Sequence, residues 1–106
     1  METKKVLDAL AALAQASRLA VFRLLVQHAP DGLSAGVIAE QLGVPAATLS
    51  FHLKELHRAD LLVQRQQGRY LWYSANVDTM NELIRYLTDN CCSLAVACAP
   101  ECAREK

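Results

Sequence analysis

A chain of 106 residues has room for one domain of 11.7 kDa and no second one. With 53% hydrophobic and 21% charged residues it is not an intrinsically disordered chain. No apolar run approaches the ~18 residues of a membrane span, and residues 1–8 hold no signal-peptide core, so the sequence predicts a soluble, cytoplasmic protein. Eleven basic and eleven acidic side chains cancel, but not evenly along the chain. Residues 44–75 set Lys54, Arg58, Arg65 and Arg69 against Glu55 and Asp60, whereas residues 76–106 carry five acids against three bases. The basic excess lies in the middle.

Residues 4–16 are rich in alanine and leucine and predict a helix. Leu7, Leu10, Leu13 and Ala14 share one face, yet Val6, Ala9 and Ala12 leave the other uncharged too. A helix apolar on two sides is buried on two sides, and in so short a chain the second side suggests a partner subunit. Ser17 is placed to cap a second helix, with Leu19, Phe22 and Val26 at helical spacing, and His28-Ala-Pro-Asp-Gly32 ends it in a turn. Ser34 caps a short helix, Ala35 to Leu42, and Gly43 suits its left-handed terminus. After Val44 and Pro45 a further helix over about 46–59 sets Leu49, Leu53 and Leu56 on one face, with His52 at its edge. Leu62 to Arg65 and Tyr70 to Tyr73 then flank a turn marked by Gly68, which predicts a hairpin. Val77, Met80, Leu83, Ile84 and Leu87 give a last amphipathic helix that ends near Asn90.

Two helices joined by a three-residue turn, followed by a basic hairpin, describe a winged helix-turn-helix: mainly α with a small β-hairpin, and dimeric. The domain divides into dimerisation helices (1–16 and 77–90), the helix-turn-helix (34–59), a wing (62–75) and a thiol-rich tail (91–106). With the three leucines turned inward, a 100° wheel sets Ala47, Phe51, Lys54 and Arg58 outward, flanked by Thr48, Ser50 and Glu55. Small and hydroxylated side chains let such a helix sit close to base edges, and Lys54 and Arg58 suit phosphates. Phe51 suits a thymine methyl. The wing adds Arg65, Gln67 and Arg69, and the dimer seam is expected at Leu7, Leu10, Met80, Leu83, Ile84 and Leu87. An ordinary solvated helix face, a Phe51 packed under a neighbour and a structural His52 are the plainer readings of the same residues.

Leu33-Ser-Ala-Gly-Val-Ile-Ala-Glu-Gln-Leu-Gly43, Ala46-Ala-Thr-Leu-Ser-Phe-His-Leu-Lys-Glu-Leu56 and the hairpin with Gly68-Arg69 and Tyr73 resemble the ArsR family of metalloid- and metal-responsive repressors. The likeness covers roughly residues 5–90. It implies a homodimer built on the first and last helices that binds palindromic double-stranded operator DNA and releases it when an inducer binds. By matching positions it implies that Ala46, Ala47, Ser50 and Phe51 lie near the bases, although other members often carry polar residues at 46, 47 and 51.

All four cysteines, Cys91, Cys92, Cys98 and Cys102, fall within twelve residues, too close together to staple distant segments as disulfides do. In the cytosol such a cluster suits a soft ion or redox chemistry. The Cys-x-Cys that many arsenic-sensing relatives carry in the first helix of the helix-turn-helix is missing from 33–38. Of the zinc-sensing ligand set Asp78 remains, but Met80, Cys91 and Leu94 fill the other matching positions. The Cys91-Cys92-x5-Cys98 spacing is similar to that of members whose arsenite site follows the last helix, which implies As(III), or antimonite, as inducer on those three thiols. Cys102 stands as a candidate fourth ligand. The two neighbouring cysteines diverge by about 100° in a helix, so both can face one ion only if the helix frays near Asn90. A cadmium, zinc or thiol-redox sensor on the same scaffold, and an interaction module that does not bind DNA, remain as alternatives. An enzyme is not expected. Cys98 to Arg104 fits the Cys-x5-Arg spacing of a phosphatase loop, but Pro100 removes an N–H and Glu101 would repel the anion.

Overall fold

The computed structural model describes residues 1–94. In chain order these form α1 (Thr3–Leu13), α2 (Ala16–Gln27), β1 (Leu33–Ser34), α3 (Ala35–Leu42), α4 (Ala46–Arg58), β2 (Leu62–Gln67), β3 (Tyr70–Ala75) and α5 (Val77–Thr88). The architecture is a winged helix-turn-helix, mostly helical with one small antiparallel sheet. No single helix among the described residues is long and apolar enough to cross a membrane.

On α1 the face that packs inward is Val6, Ala9 and Ala12, while Leu7 and Leu10 stay exposed. The alanines let α1 lie close to its neighbours, and Arg18 closes its end by donating from Nε to the Ala12 carbonyl at 2.7 Å. The cap of α2 is Gln15 rather than Ser17. Gln15 is extended (φ −151°, ψ 130°), so the helix starts one residue before Ser17, and the Gln15 side chain accepts from the Arg18 N–H at 2.8 Å. The buried face of α2 is likewise shifted. Val21, Phe22 and Leu25 enter the core, Val26 is half-buried and Leu19 is exposed.

The loop after α2 is pinned by one glycine. Gly32 is buried at φ +84°, and its N–H bonds the His28 carbonyl at 2.9 Å. A Cβ there would come 2.2 Å from the Tyr73 carbonyl oxygen. Only this close approach lets Leu33 and Ser34 pair with Tyr73 and Trp72 of β3, a two-residue strand with no alternation to read in advance. The sheet order is β1-β3-β2, so the expected hairpin is the larger part of a three-stranded sheet.

The helix-turn-helix forms where local chemistry dictates. Ser34 Oγ accepts from the Val37 N–H, and Gly43 ends α3 in the left-handed region at φ 65°. Pro45 precedes α4, whose Leu49, Leu53 and Leu56 are buried together with Ile38 of α3 and Leu25 of α2. β2 and β3 then run in register from Leu62↔Ala75 to Gln67↔Tyr70 around Gly68 (φ 64°) and Arg69. Leu62 and Ala75 face the core as a pair.

A small polar knot joins three of these elements. Asp60, between α4 and β2, is left-handed at φ 66° and accepts from Thr79 Oγ1 at 3.1 Å. The Asn76 side chain donates to the Asp60 carbonyl at 3.2 Å and caps α5 by accepting from the Thr79 N–H. Asn76 N–H also donates to the Leu61 carbonyl at 2.9 Å. The base of α5 is thereby fixed to the end of α4 and the root of the hairpin.

The Gly32 geometry yields a stability prediction. Gly32→Ala adds a left-handed non-glycine residue, a cost of about 1–3 kcal/mol, and a clash with the Tyr73 carbonyl on top of it. A clear fall in the urea midpoint is expected. Gly36→Ala, with nothing within 4 Å of its Cβ, should leave the midpoint unchanged or higher. Equal midpoints for the two variants would contradict this account of the loop.

Candidate nucleic-acid interface and thiol pair

Because α4 turns its leucines inward, its other face is open. Ala46, Ala47, Thr48, Ser50, Phe51, Lys54 and Arg58 are all exposed, and Phe51 is 55% accessible. His52 lies on the inner side at 6%, with Nδ1 buried and unpartnered, so it belongs to the packing of the helix. The Phe51 and His52 ring centroids are 5.9 Å apart at 57°.

The cations of this surface differ in how they are held. Arg58 pairs with Glu55 at 3.0 Å and lines a cleft between α1, α2 and α4 with Lys4, Asp8 and Arg18. An exposed pair of this kind is worth about 0–1 kcal/mol, so it tethers Arg58 without locking it. Lys54, Arg65 and Arg69 form no ion pair among the described residues. Arg65 and Gln67 lie on the outward face of β2, opposite Trp72 and Tyr70, and Arg69 occupies the turn.

Two residues of this surface escaped the sequence reading. His57 is exposed in the last turn of α4, about 20° from Ser50 on a helical wheel, and the same wheel would have found it. Tyr70, beside the turn, is among the most exposed large side chains of the chain. Its strand position gave no sign of which face it would take.

The expected seam residues divide into two groups. Leu7, Leu10, Ile84 and Leu87 are exposed in the protomer, and Met80 is half-buried against the core. Leu83 is 6% exposed and is part of the protomer's own core. The reason is the width of the apolar stripe on α5. It is broad enough to face two ways, and residues 79 and 83 face inward.

Beyond α5 the chain bends sharply. The helix stops at Thr88, whose Oγ1 donates back to the Ile84 carbonyl at 2.8 Å. Asn90 (φ 60°) and Cys92 (φ 67°) are both left-handed, with a turn closed from the Cys91 N–H to the Thr88 carbonyl. These bends bring the Cys91 and Cys92 sulfurs to 3.4 Å. Cys91 is an exposed free thiol, and Cys92 is disulfide-bonded. Cys98 and Cys102 lie outside the described residues. Among the described residues no group of three or more His, Cys, Asp or Glu converges on one point.

Comparison with known proteins places this geometry. Residues 13–65 match the helix-turn-helix domain family. The nodulation protein NolR of Rhizobium meliloti is 28% identical over 80 residues, a match spanning 76% of this chain but 63% of that relative. An ArsR-like transcriptional regulator from Rhodococcus sp. RHA1 superposes with a TM-score of 0.71 at 25% identity, covering 79% of this chain and 76% of its own. A homodimeric winged helix-turn-helix DNA-binding domain from Mycobacterium bovis, described as a possible ArsR-family regulator, gives 0.65 at 26% identity over 82% and 81%. By sequence match and by fold, the chain belongs to the helix-turn-helix domain family, in its ArsR-like winged form.

Proposed function

We propose that the chain is a transcriptional repressor of the ArsR type, binding palindromic operator DNA as a homodimer and releasing it when As(III), or Sb(III), binds Cys91, Cys92 and Cys98. The observation that carries the DNA reading is the division of α4. Three leucines are sealed in the core, and the opposite face presents small, hydroxylated and basic groups beside a hairpin whose two arginines form no ion pair among the described residues. A recognition helix in the major groove, with the wing on the flanking backbone, uses these groups in these positions. Exposed Leu7, Leu10, Ile84 and Leu87 support a self-complementary seam, as does the homodimeric relative.

Support for the inducer comes from the neighbouring sulfurs of Cys91 and Cys92, the first a free thiol and the second available once reduced. The Cys91 and Cys92 sulfurs lie 3.4 Å apart while Cys92 is oxidised, and reduction of the Cys92 disulfide would free the second thiol beside the first. Three thiols then displace three hydroxyls of arsenous acid as water. Soft thiolates select such a centre over the hard cations of the cell. The Cys92 disulfide favours a second reading, a thiol-redox sensor on the same DNA-binding scaffold. A titration of operator release against arsenite, antimonite, cadmium, zinc and an oxidant, on reduced protein, separates the two.

On the DNA face, Lys54→Ala and Arg69→Ala should weaken binding to every sequence. Each should also lower the slope of log affinity against log salt by about 0.9 per lost phosphate contact, hence by about two per dimer. Unchanged affinity and slope for both variants would remove the DNA reading.

The two groups of leucines separate assembly from folding. Leu87→Glu should fold and sediment as a monomer at micromolar concentration, with operator binding lost. Leu83→Glu places an unpaired charge in the protomer core and should unfold the chain. A folded Leu83→Glu protein, by circular dichroism, would contradict this division.

The thiols are tested one at a time. Cys91→Ser, Cys92→Ser and Cys98→Ser should each bind operator normally and fail to release it with arsenite, whereas Cys102→Ser should still respond. Full release from the Cys98 variant, and none from the Cys102 variant, would move the third ligand to Cys102.

A further inference from the structure

The reading face of α4 lacks the side chains that hydrogen-bond base edges in pairs. Base contacts come mainly from the N-terminal part of a recognition helix. Here that part is Ala46, Ala47, Thr48, Leu49, Ser50 and Phe51, of which Leu49 is buried and the other five are exposed. No arginine, lysine, asparagine, glutamine or acid stands among them, so the bidentate partners of guanine and adenine are missing from this stretch. The two hydroxyls of Thr48 and Ser50 accept or donate to any base and discriminate little.

What the stretch presents instead is apolar. Ala47 and Phe51 are four residues apart, and Thr48 and Phe51 three, so the alanine, the threonine methyl and the phenyl form one ridge. Phe51 stands 55% exposed on that ridge, with the ring of the buried His52 beside it at 5.9 Å. In the major groove the one apolar group a base pair offers is the thymine 5-methyl, and Ala, Thr and Phe are the side chains that meet it.

Resting on the DNA-binding reading above, we infer that this chain recognises its half-site through thymine methyl groups, with Phe51 as the residue that sets specificity. Ala47 and Thr48 leave room beside the phenyl for a second methyl or a close backbone approach. Lys54, Arg65 and Arg69 supply the affinity that does not depend on sequence.

The test selects duplexes from a random pool with the full-length reduced protein, then replaces thymines of the selected half-site by deoxyuridine, one position at a time in both halves. Deoxyuridine removes the methyl and leaves every hydrogen-bonding group in place. Selected half-sites should contain thymine, and at one position the replacement should weaken binding about fourfold per half-site, the effect of ~0.8 kcal/mol for one buried carbon, and so about 15-fold per palindrome. Phe51→Ala should lose a similar factor on the thymine duplex, keep its binding to random DNA, and be indifferent to deoxyuridine at that position. Its thermal midpoint should match the parent, because Phe51 is not in the core. Equal binding of thymine and deoxyuridine duplexes by the parent would overturn the inference and leave DNA binding standing. A Phe51→Ala protein that stays sensitive to deoxyuridine at every position would overturn the role of Phe51. Failure to enrich or bind any duplex at low salt would overturn both readings together.

Discussion

Burial of Leu49, Leu53 and Leu56 fixes the rotation of α4, and the presented surface follows from that one constraint. Each leucine gains roughly 2 kcal/mol on leaving water, so turning the helix by half a turn would forfeit about 6 kcal/mol. A small domain has about 5–15 kcal/mol of stability in all, so no alternative rotation competes. The unpartnered Nδ1 of His52 opposes this by about 1–3 kcal/mol, too little to reverse it. α2, α3 and the hairpin root all pack on the face so defined. The cations and the phenyl are outside because the leucines are inside.

The sequence revealed most where local chemistry decides and least where a second surface does. The Ser34 cap, the left-handed Gly43, the turn at Gly68 and the leucine face of α4 each rest on a few adjacent residues, and each was legible. The two-faced helices were not. On α1 and α5 both sides are apolar, and nothing in the spacing says which side the protomer takes for itself, so the burial of Leu83 in the protomer core was not foreseen. The Gln15 cap was missed because glutamine is a less common cap than the serine two residues later. β1 was missed because two residues have no period. It exists because Gly32 admits a backbone contact, a tertiary fact without a local sign.

The candidate site was legible to a similar depth. The outward face of α4 and the basic hairpin were readable from a wheel and a turn. The hold of Glu55 on Arg58 was overlooked, although their three-residue spacing on α4 already puts the two side by side. For the cysteines, adjacency in sequence left their relation open. Left-handed backbone at Asn90 and Cys92 is what turns two diverging side chains toward each other.

The knot at Asp60 has a mechanical consequence. It clamps the start of α5 to the end of α4 and the root of the hairpin, while Leu83 in the core and Tyr86, its hydroxyl 2.9 Å from Thr3 Oγ1 of α1, hold the helix farther along. Twelve residues of helix make a rigid rod of about 18 Å. A rod held at its foot and along its side moves together with whatever holds it. Displacement of its far end is therefore shared between α1, through Tyr86, and the end of α4 with the hairpin root, through Asp60. The end of α4 and the root of the hairpin are thus tied to one another at the same residues that anchor α5.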